Sequence, residues 1–167
     1  MKKFKTLFFV KSSLITLYLA LTIPIPFVSG KDSQIIAVGA FLFGLILIIN
    51  ITNDHVLACD KKISYKTSLI SNMLGKKDWE VFWKDIKLIK SFETSQGSKV
   101  HYFISDKNES FLVPQRIQNL KEFIILVSNK TNLNVKELSY ISPLWTYKLL
   151  TLISIFMITG EIITFYF

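Results

Sequence analysis

Three apolar runs bracket one charged block, and that arrangement constrains the fold more than any motif in the chain. Residues 12–28 (SSLITLYLALTIPIPFV) and 35–51 (IIAVGAFLFGLILIINI) hold 17 residues each, and residues 149–167 hold 19 with a single charge, Glu161. Seventeen residues make roughly 25 Å of helix at ~1.5 Å per residue, enough to cross the hydrocarbon core of a bilayer. The polar connection SGKDSQ (29–34) is short, so the first two runs are predicted to form a transmembrane helical hairpin. Pro24 and Pro26 fall near the far end of the first span, where a lost backbone bond does least harm. Half of the residues are hydrophobic and mean hydropathy is +0.40, too apolar for a plain soluble domain of 167 residues.

A rival reading takes residues 1–30 as a cleaved signal peptide, with MKKFK as its basic start and Val28 and Gly30 at the cleavage positions. Lys11 interrupts the apolar region and both prolines crowd the cleavage region, so a retained span is the favoured reading. Orientation follows from the lysines. Lys2, Lys3, Lys5 and Lys11 precede the first span, and residues 52–148 carry 15 Lys/Arg against 10 Asp/Glu. The positive-inside rule then places the N-terminus and the central block in the cytoplasm and the C-terminus on the opposite side. SPLWTYK (142–148) supplies interfacial Trp, Tyr and Lys residues before the third span.

Short aromatic and β-branched runs separated by turn residues fill the block. HVLAC and ISYKT flank DKK, and DWEVFW and IKLIKSF flank Lys84-Asp85. KVHYFIS follows SQGS, and SFLVP follows DKNE. Such runs read as antiparallel strands in hairpins. The two-residue period slips by one across Lys84-Asp85, as at a turn or bulge. Trp79 and Trp83 are therefore expected in the core rather than at a ligand or a membrane interface. After Pro114 the period changes to that of a helix, predicted over 115–129. The organisation expected is a hairpin over 1–51 (spans 12–28 and 35–51), a β-domain with one closing helix over 52–138, and a linker with the third span (149–167) over 139–167. The class is an α+β membrane protein.

From about Ile51 to Lys130 the chain resembles the bacterial pleckstrin-homology-like family of membrane-flanked domains. ITNDHV (51–56) matches its Leu-Thr-x-x-Arg-hydrophobic opening just after a span, with His55 in place of the Arg. FWKDIKLI (82–89) resembles its apolar-x-x-Ile step into the next strand, and the helix after the last strand agrees. The resemblance implies a partly open antiparallel β-barrel capped by one C-terminal helix, usually non-enzymatic and used to bind lipids or proteins.

Candidate surfaces follow from the tether. The first strand leaves the bilayer and the second returns, which places SLISNMLGKK (68–77) beside the lipid. Leu69, Ile70, Met73 and Leu74 with Lys76 and Lys77 make an apolar-basic loop suited to an anionic interface. Lys61, Lys62 and Lys66 form a second basic group on the distal hairpin, suited to a protein partner or to solubility. Glu161 is an intramembrane carboxylate, a functional candidate by its position. Its place near the outer interface also allows a bland snorkelling role. His101 is expected to point outward from its strand. His55, His101 and scattered acids lack metal-ligand spacing, Cys59 is the sole cysteine, and no nucleophile-base-orienter set or phosphate loop is visible. No metal, cofactor or catalytic residue is therefore expected.

The expectation is a non-catalytic membrane-tethered module that binds anionic lipid or docks a protein partner, as an accessory or assembly subunit of a membrane complex would. The alternative is a membrane enzyme or transport subunit using Glu161. Nucleic-acid binding is disfavoured by the modest charge of the block and by the tether.

Overall fold

The computed structural model describes residues 1–135 and 137–166, so that Lys136 and Phe167, the predicted last residue of the third span, lie outside the described residues. In chain order the elements are β1 (Lys2–Lys5), α1 (Phe8–Thr22), α2 (Pro24–Val28), α3 (Gln34–Ile51), β2 (His55–Ala58), β3 (Lys62–Lys66) and α4 (Leu69–Met73). They continue with β4 (Trp79–Phe82), a 3-10 turn (Trp83–Asp85), β5 (Ile86–Glu93), β6 (Lys99–Ser105), β7 (Ser110–Leu112), α5 (Leu120–Thr131) and α6 (Leu144–Tyr166). Contacts divide the chain into a β unit, Met1–Leu7 with Asn53–Pro143, and a helical unit, Phe8–Thr52 with Leu144–Phe167.

Three segments of the helical unit are long and apolar enough to cross a membrane: Phe8–Val28, Gln34–Ile51 and Leu144–Phe165. The first begins before Ser12, and the third before Leu149, because Lys11 and Lys148 are carried within the helices. The Lys148 ammonium sits over the Phe9 ring at 5.0 Å, where its charge is partly satisfied by the aromatic face. Proline lacks the amide hydrogen that would extend the ladder, and the first segment breaks at Ile23, between α1 and α2. Lys148 on Phe9 near one end, and Phe27 stacked on Phe165 at 4.9 Å near the other, make α1 and α6 parallel. The short connection over 29–33 turns α3 back antiparallel to α1, and Tyr18 stacks on Phe41 and donates its hydroxyl to the Phe41 carbonyl at 2.7 Å across the pair. Gly44 permits this approach, since a Cβ there would collide with the Tyr18 hydroxyl. The starts of α1 and α6 and the end of α3 thus share one end of the unit.

The β unit holds two antiparallel sheets, β1-β2-β3-β4 and β5-β6-β7. The 3-10 turn falls where the two-residue period slips, and it carries the chain from one sheet to the other. Trp83 is buried there and donates its indole N–H to the Cys59 carbonyl at 2.8 Å. Trp79, half-buried, stacks on Tyr65 and packs against Phe103 and Phe111. Both indoles belong to the core, as expected. α5 covers the sheets through Leu120, Phe123 and Val127, all buried. Thr6 and Ile117 form an isolated bridge between the segments beside β1 and after β7. The sheets do not otherwise join there, and the expected barrel is not closed among the described residues.

Four further features differ from the sequence expectation. β1 lies upstream of the first span yet pairs with β2 through Phe4↔Val56. Phe4 is buried, with its ring edge-on to Phe123 at 5.4 Å. The closing helix begins at Leu120 rather than residue 115, because Asn119 adopts a left-handed conformation (φ 54°) and Ile117 is bridged to Thr6. The expected linker from residue 139 is not wholly free, since Tyr140 packs on the core beside buried Leu138. His101 points inward and is fully buried, whereas Val100 and Tyr102 lie on the outer face.

Candidate functional site

The loop between β3 and β4 is held at its base and free at its tip. Asp54 follows the end of α3 by three residues. Its side chain is buried, and its Oδ1 accepts the Ser68 amide at 2.8 Å. Its Oδ2 accepts the Tyr65 hydroxyl and the Lys76 ammonium, both at 3.0 Å. Thr6 donates to the Asp54 carbonyl at 2.8 Å, so the same residue also fastens the end of β1. Burial pushes the Asp54 carboxyl upward, but the Ser68 amide, Lys76, Ser71 and Tyr65 outweigh it and hold it below the ordinary carboxylate value. Burial and the Asp54 charge raise the Tyr65 phenol in turn.

The other flank is fixed by Asp78, which accepts the Thr67 amide and hydroxyl at 2.7 Å each and Lys66 at 3.0 Å. The Thr67 amide and hydroxyl, with Lys66, lower the Asp78 carboxyl to about 2. Between these staples Ser68 caps α4 by accepting the Ser71 amide at 3.2 Å, and Gly75 turns the chain at φ 88°. Spaced four apart, Leu69 and Met73 share a helix face. They are 81% and 86% exposed, and the following Leu74 is 69% exposed. Ile70 is half-buried, and Lys77 is exposed beside the tip. Of the two loop lysines, Lys76 is committed to Asp54, which leaves Lys77 as the cation beside the apolar tip.

The distal basic group is divided in a similar way. Lys62 pairs with Glu80 at 2.9 Å and Lys66 with Asp78 at 3.0 Å, while Lys61 is exposed at the turn and forms no ion pair among the described residues. These solvent-screened pairs contribute little to stability.

Buried His101, half-buried Ser91 and exposed Glu137 form a polar cluster that strand periodicity concealed. The Ser91 hydroxyl lies 2.8 Å from His101 Nδ1 and 3.4 Å from Glu137 Oε2, and His101 Nε2 is buried without a partner among the described residues. Hydrogen bonding is most complete when Nδ1–H donates to Ser91 and Ser91 donates to Glu137. The carboxylate thus meets the serine rather than the imidazole, which is not the nucleophile-base-orienter order of a hydrolase. Buried Gln115 donates to the Lys99 and Ser139 carbonyls at 3.0 and 2.9 Å, fastening the segment that precedes α6 to the second sheet. In the helical unit Glu161 is half-buried, and its Oε2 is buried with no hydrogen-bond partner among the described residues.

No family model matches the chain. It is 26% identical over 159 residues to the uncharacterized protein slr0269 of Synechocystis sp. (strain PCC 6803), an alignment that takes in 91% of this chain and 79% of that protein. Coverage of that extent includes both the β unit and the apolar helices.

Proposed function

We propose that the protein is a non-catalytic, membrane-tethered module of pleckstrin-homology-like architecture that engages anionic lipid with its α4 loop and offers its β unit to a protein partner. The observation that carries this reading is the α4 tip. Three large apolar side chains stand in the open on a base fixed by Asp54, a few residues from the end of a candidate span. Exposed apolar groups beside a lysine suit a headgroup interface, where each basic residue contributes about 1 kcal/mol. A four-plus-three arrangement of antiparallel strands with a helix after the last one supports the architectural likeness.

Connectivity supports the orientation. Strands β1 and β2 pair directly, so the residues flanking the α1–α3 hairpin lie on one side of any membrane the hairpin crosses twice. The parallel run of α1 and α6 then takes the C-terminus to the other side. By the positive-inside rule, Lys2, Lys3, Lys5 and Lys11 favour the cytoplasmic side for the β unit. A signal-peptide cleavage after residue 30 would remove β1 from its sheet, which favours a retained N-terminus.

Hydrogen exchange on the full chain in nanodiscs tests the lipid contact. Slower exchange at 69–75 in anionic than in zwitterionic discs, abolished by Leu69→Ser with Met73→Ser and Lys77→Glu, is the expected result. Equal exchange in both lipids refutes it. A second reading, a membrane enzyme or transport subunit, draws on the unpartnered buried oxygen of Glu161 and predicts that Glu161→Gln abolishes the activity.

A further inference from the structure

The outer faces of the two sheets differ in chemistry. On the first sheet the outward positions include Lys3, Lys5, Lys62, Lys66 and Glu80, several of them in ion pairs, as suits an antiparallel sheet wetted on one side. On the second sheet Leu88 lies beside Ile104, Phe92 beside Val100, and Tyr102 beside Leu112. These six side chains form one apolar face whose inward counterparts, Ile89, Phe103 and Phe111, already fill the core. Leu88, Phe92 and Leu112 are each nearly half exposed. At the centre sits Lys90, beside Tyr102 in the register, with its ammonium 5.2 Å from the Phe92 ring. No carboxylate pairs with Lys90 among the described residues.

We propose that this face docks an amphipathic helix of a partner protein whose apolar stripe carries one acidic residue opposite Lys90. The dimensions favour that occupant. Three strands about 4.8 Å apart and the run from Leu88 to Phe92, ~14 Å at ~3.4 Å per residue, give a footprint on the order of 200 Å². That matches a helix roughly 10 Å across over two to three turns. It falls well short of the ~800 Å² per partner that a stable dimer of standard size buries. Charge argues in the same direction. Two copies stacked about a two-fold axis would bring their Lys90 ammonium groups together, whereas a carboxylate from a partner completes the site. A bilayer is a poorer fit, because Val100, Tyr102 and Ile104 are half-buried among their neighbours and present a flat wall with no projecting tip. The proposal rests on the reading of the β unit as a binding module, but it shares no residue with the α4 loop.

Photocrosslinking in the membrane that normally holds the full chain is the test, with p-benzoylphenylalanine in place of Tyr102 or Leu112. The expected adduct joins this chain to a peptide of another protein that mass spectrometry identifies as an amphipathic helical segment bearing Asp or Glu. Lys90→Glu should lower the adduct at least about tenfold and Lys90→Arg should keep it. Changing the partner's acid to Lys should restore the adduct with Lys90→Glu. An unchanged melting temperature for Lys90→Glu separates loss of docking from loss of fold, and should that variant melt early, Lys90→Gln takes its place. An adduct with a second copy, with lipid alone, with a non-helical segment, or none at all overturns the proposal, as does an adduct indifferent to charge at position 90. Lys77→Glu should leave the adduct intact while removing the lipid protection of the α4 loop, so the two surfaces fail separately.

Discussion

Lys76 Nζ lies 3.0 Å from Asp54 Oδ2, and this pair ties the far flank of the α4 loop to the residue that opens the β unit after α3. The carboxylate is buried while the lysine is half-exposed, so the pair acts mainly as a positional staple. Asp54→Ala should leave the Ser68 amide and the Tyr65 hydroxyl without their acceptor and cost about 2–4 kcal/mol in stability. Thermal unfolding checks the stability. Limited proteolysis should show faster cleavage within 68–77, and an unchanged cleavage rate would separate the carboxylate from the loop.

β1 makes a sharper test of the N-terminus. Phe4 is buried against Phe123, so Phe4→Ala should destabilise the β unit by about 3–5 kcal/mol. Denaturant unfolding of the full chain in detergent measures this. A neutral result would mean that the segment ahead of the first span is no part of the sheet.

The pH dependence has a definite sign. Burial lowers the His101 imidazole from its ordinary 6.5, with Glu137 opposing and Lys99 assisting. The unfolded chain therefore binds a proton below about pH 6.5 that the folded chain refuses. This contribution is complete above that value and is lost as pH falls toward the depressed folded value. Asp54 and Asp78, lowered from 3.8, contribute stability that is lost only at far more acid pH. Between pH 7 and 5 the midpoint of unfolding should fall, and His101→Phe should flatten that slope. The same slope in the variant would assign it to another group.

Sidedness is open to chemical labelling. On a Cys59→Ser background, Asp32→Cys in the hairpin connection should react with an impermeant maleimide from one side of a sealed vesicle. Ser95→Cys in the β5–β6 turn should react from the other. Labelling of both from one side would contradict the two crossings.

Much of this was legible in the chain. The three helices apolar enough to cross a membrane stand out because long apolar runs leave few alternatives, and the slip at Lys84-Asp85 marked a break between strands, although β4 and β5 enter different sheets there instead of pairing as a hairpin. β1 was not legible, since KKFK holds one apolar residue and its lysines read as flanking charge; its partner strand lies some fifty residues on. His101 was misplaced for a different reason. Val100, Tyr102 and Ile104 alternate with it, and an apolar face turned outward makes the two phases look reversed. Of the apolar-basic loop, the tip was legible, but Asp54 was not: a single acid after a span carries no signal of the amide, phenol and ammonium that converge on it.

The depth of the α4 tip in the bilayer decides whether this loop engages lipid. Met73→Cys on the Cys59→Ser background, labelled with an environment-sensitive fluorophore, would be read in anionic nanodiscs containing spin-labelled lipids. The account predicts a blue-shifted emission quenched most strongly by labels near the headgroup–acyl boundary, and weaker quenching after Lys77→Glu. Emission typical of water, with quenching no greater than at a probe in the β5–β6 turn, would contradict it.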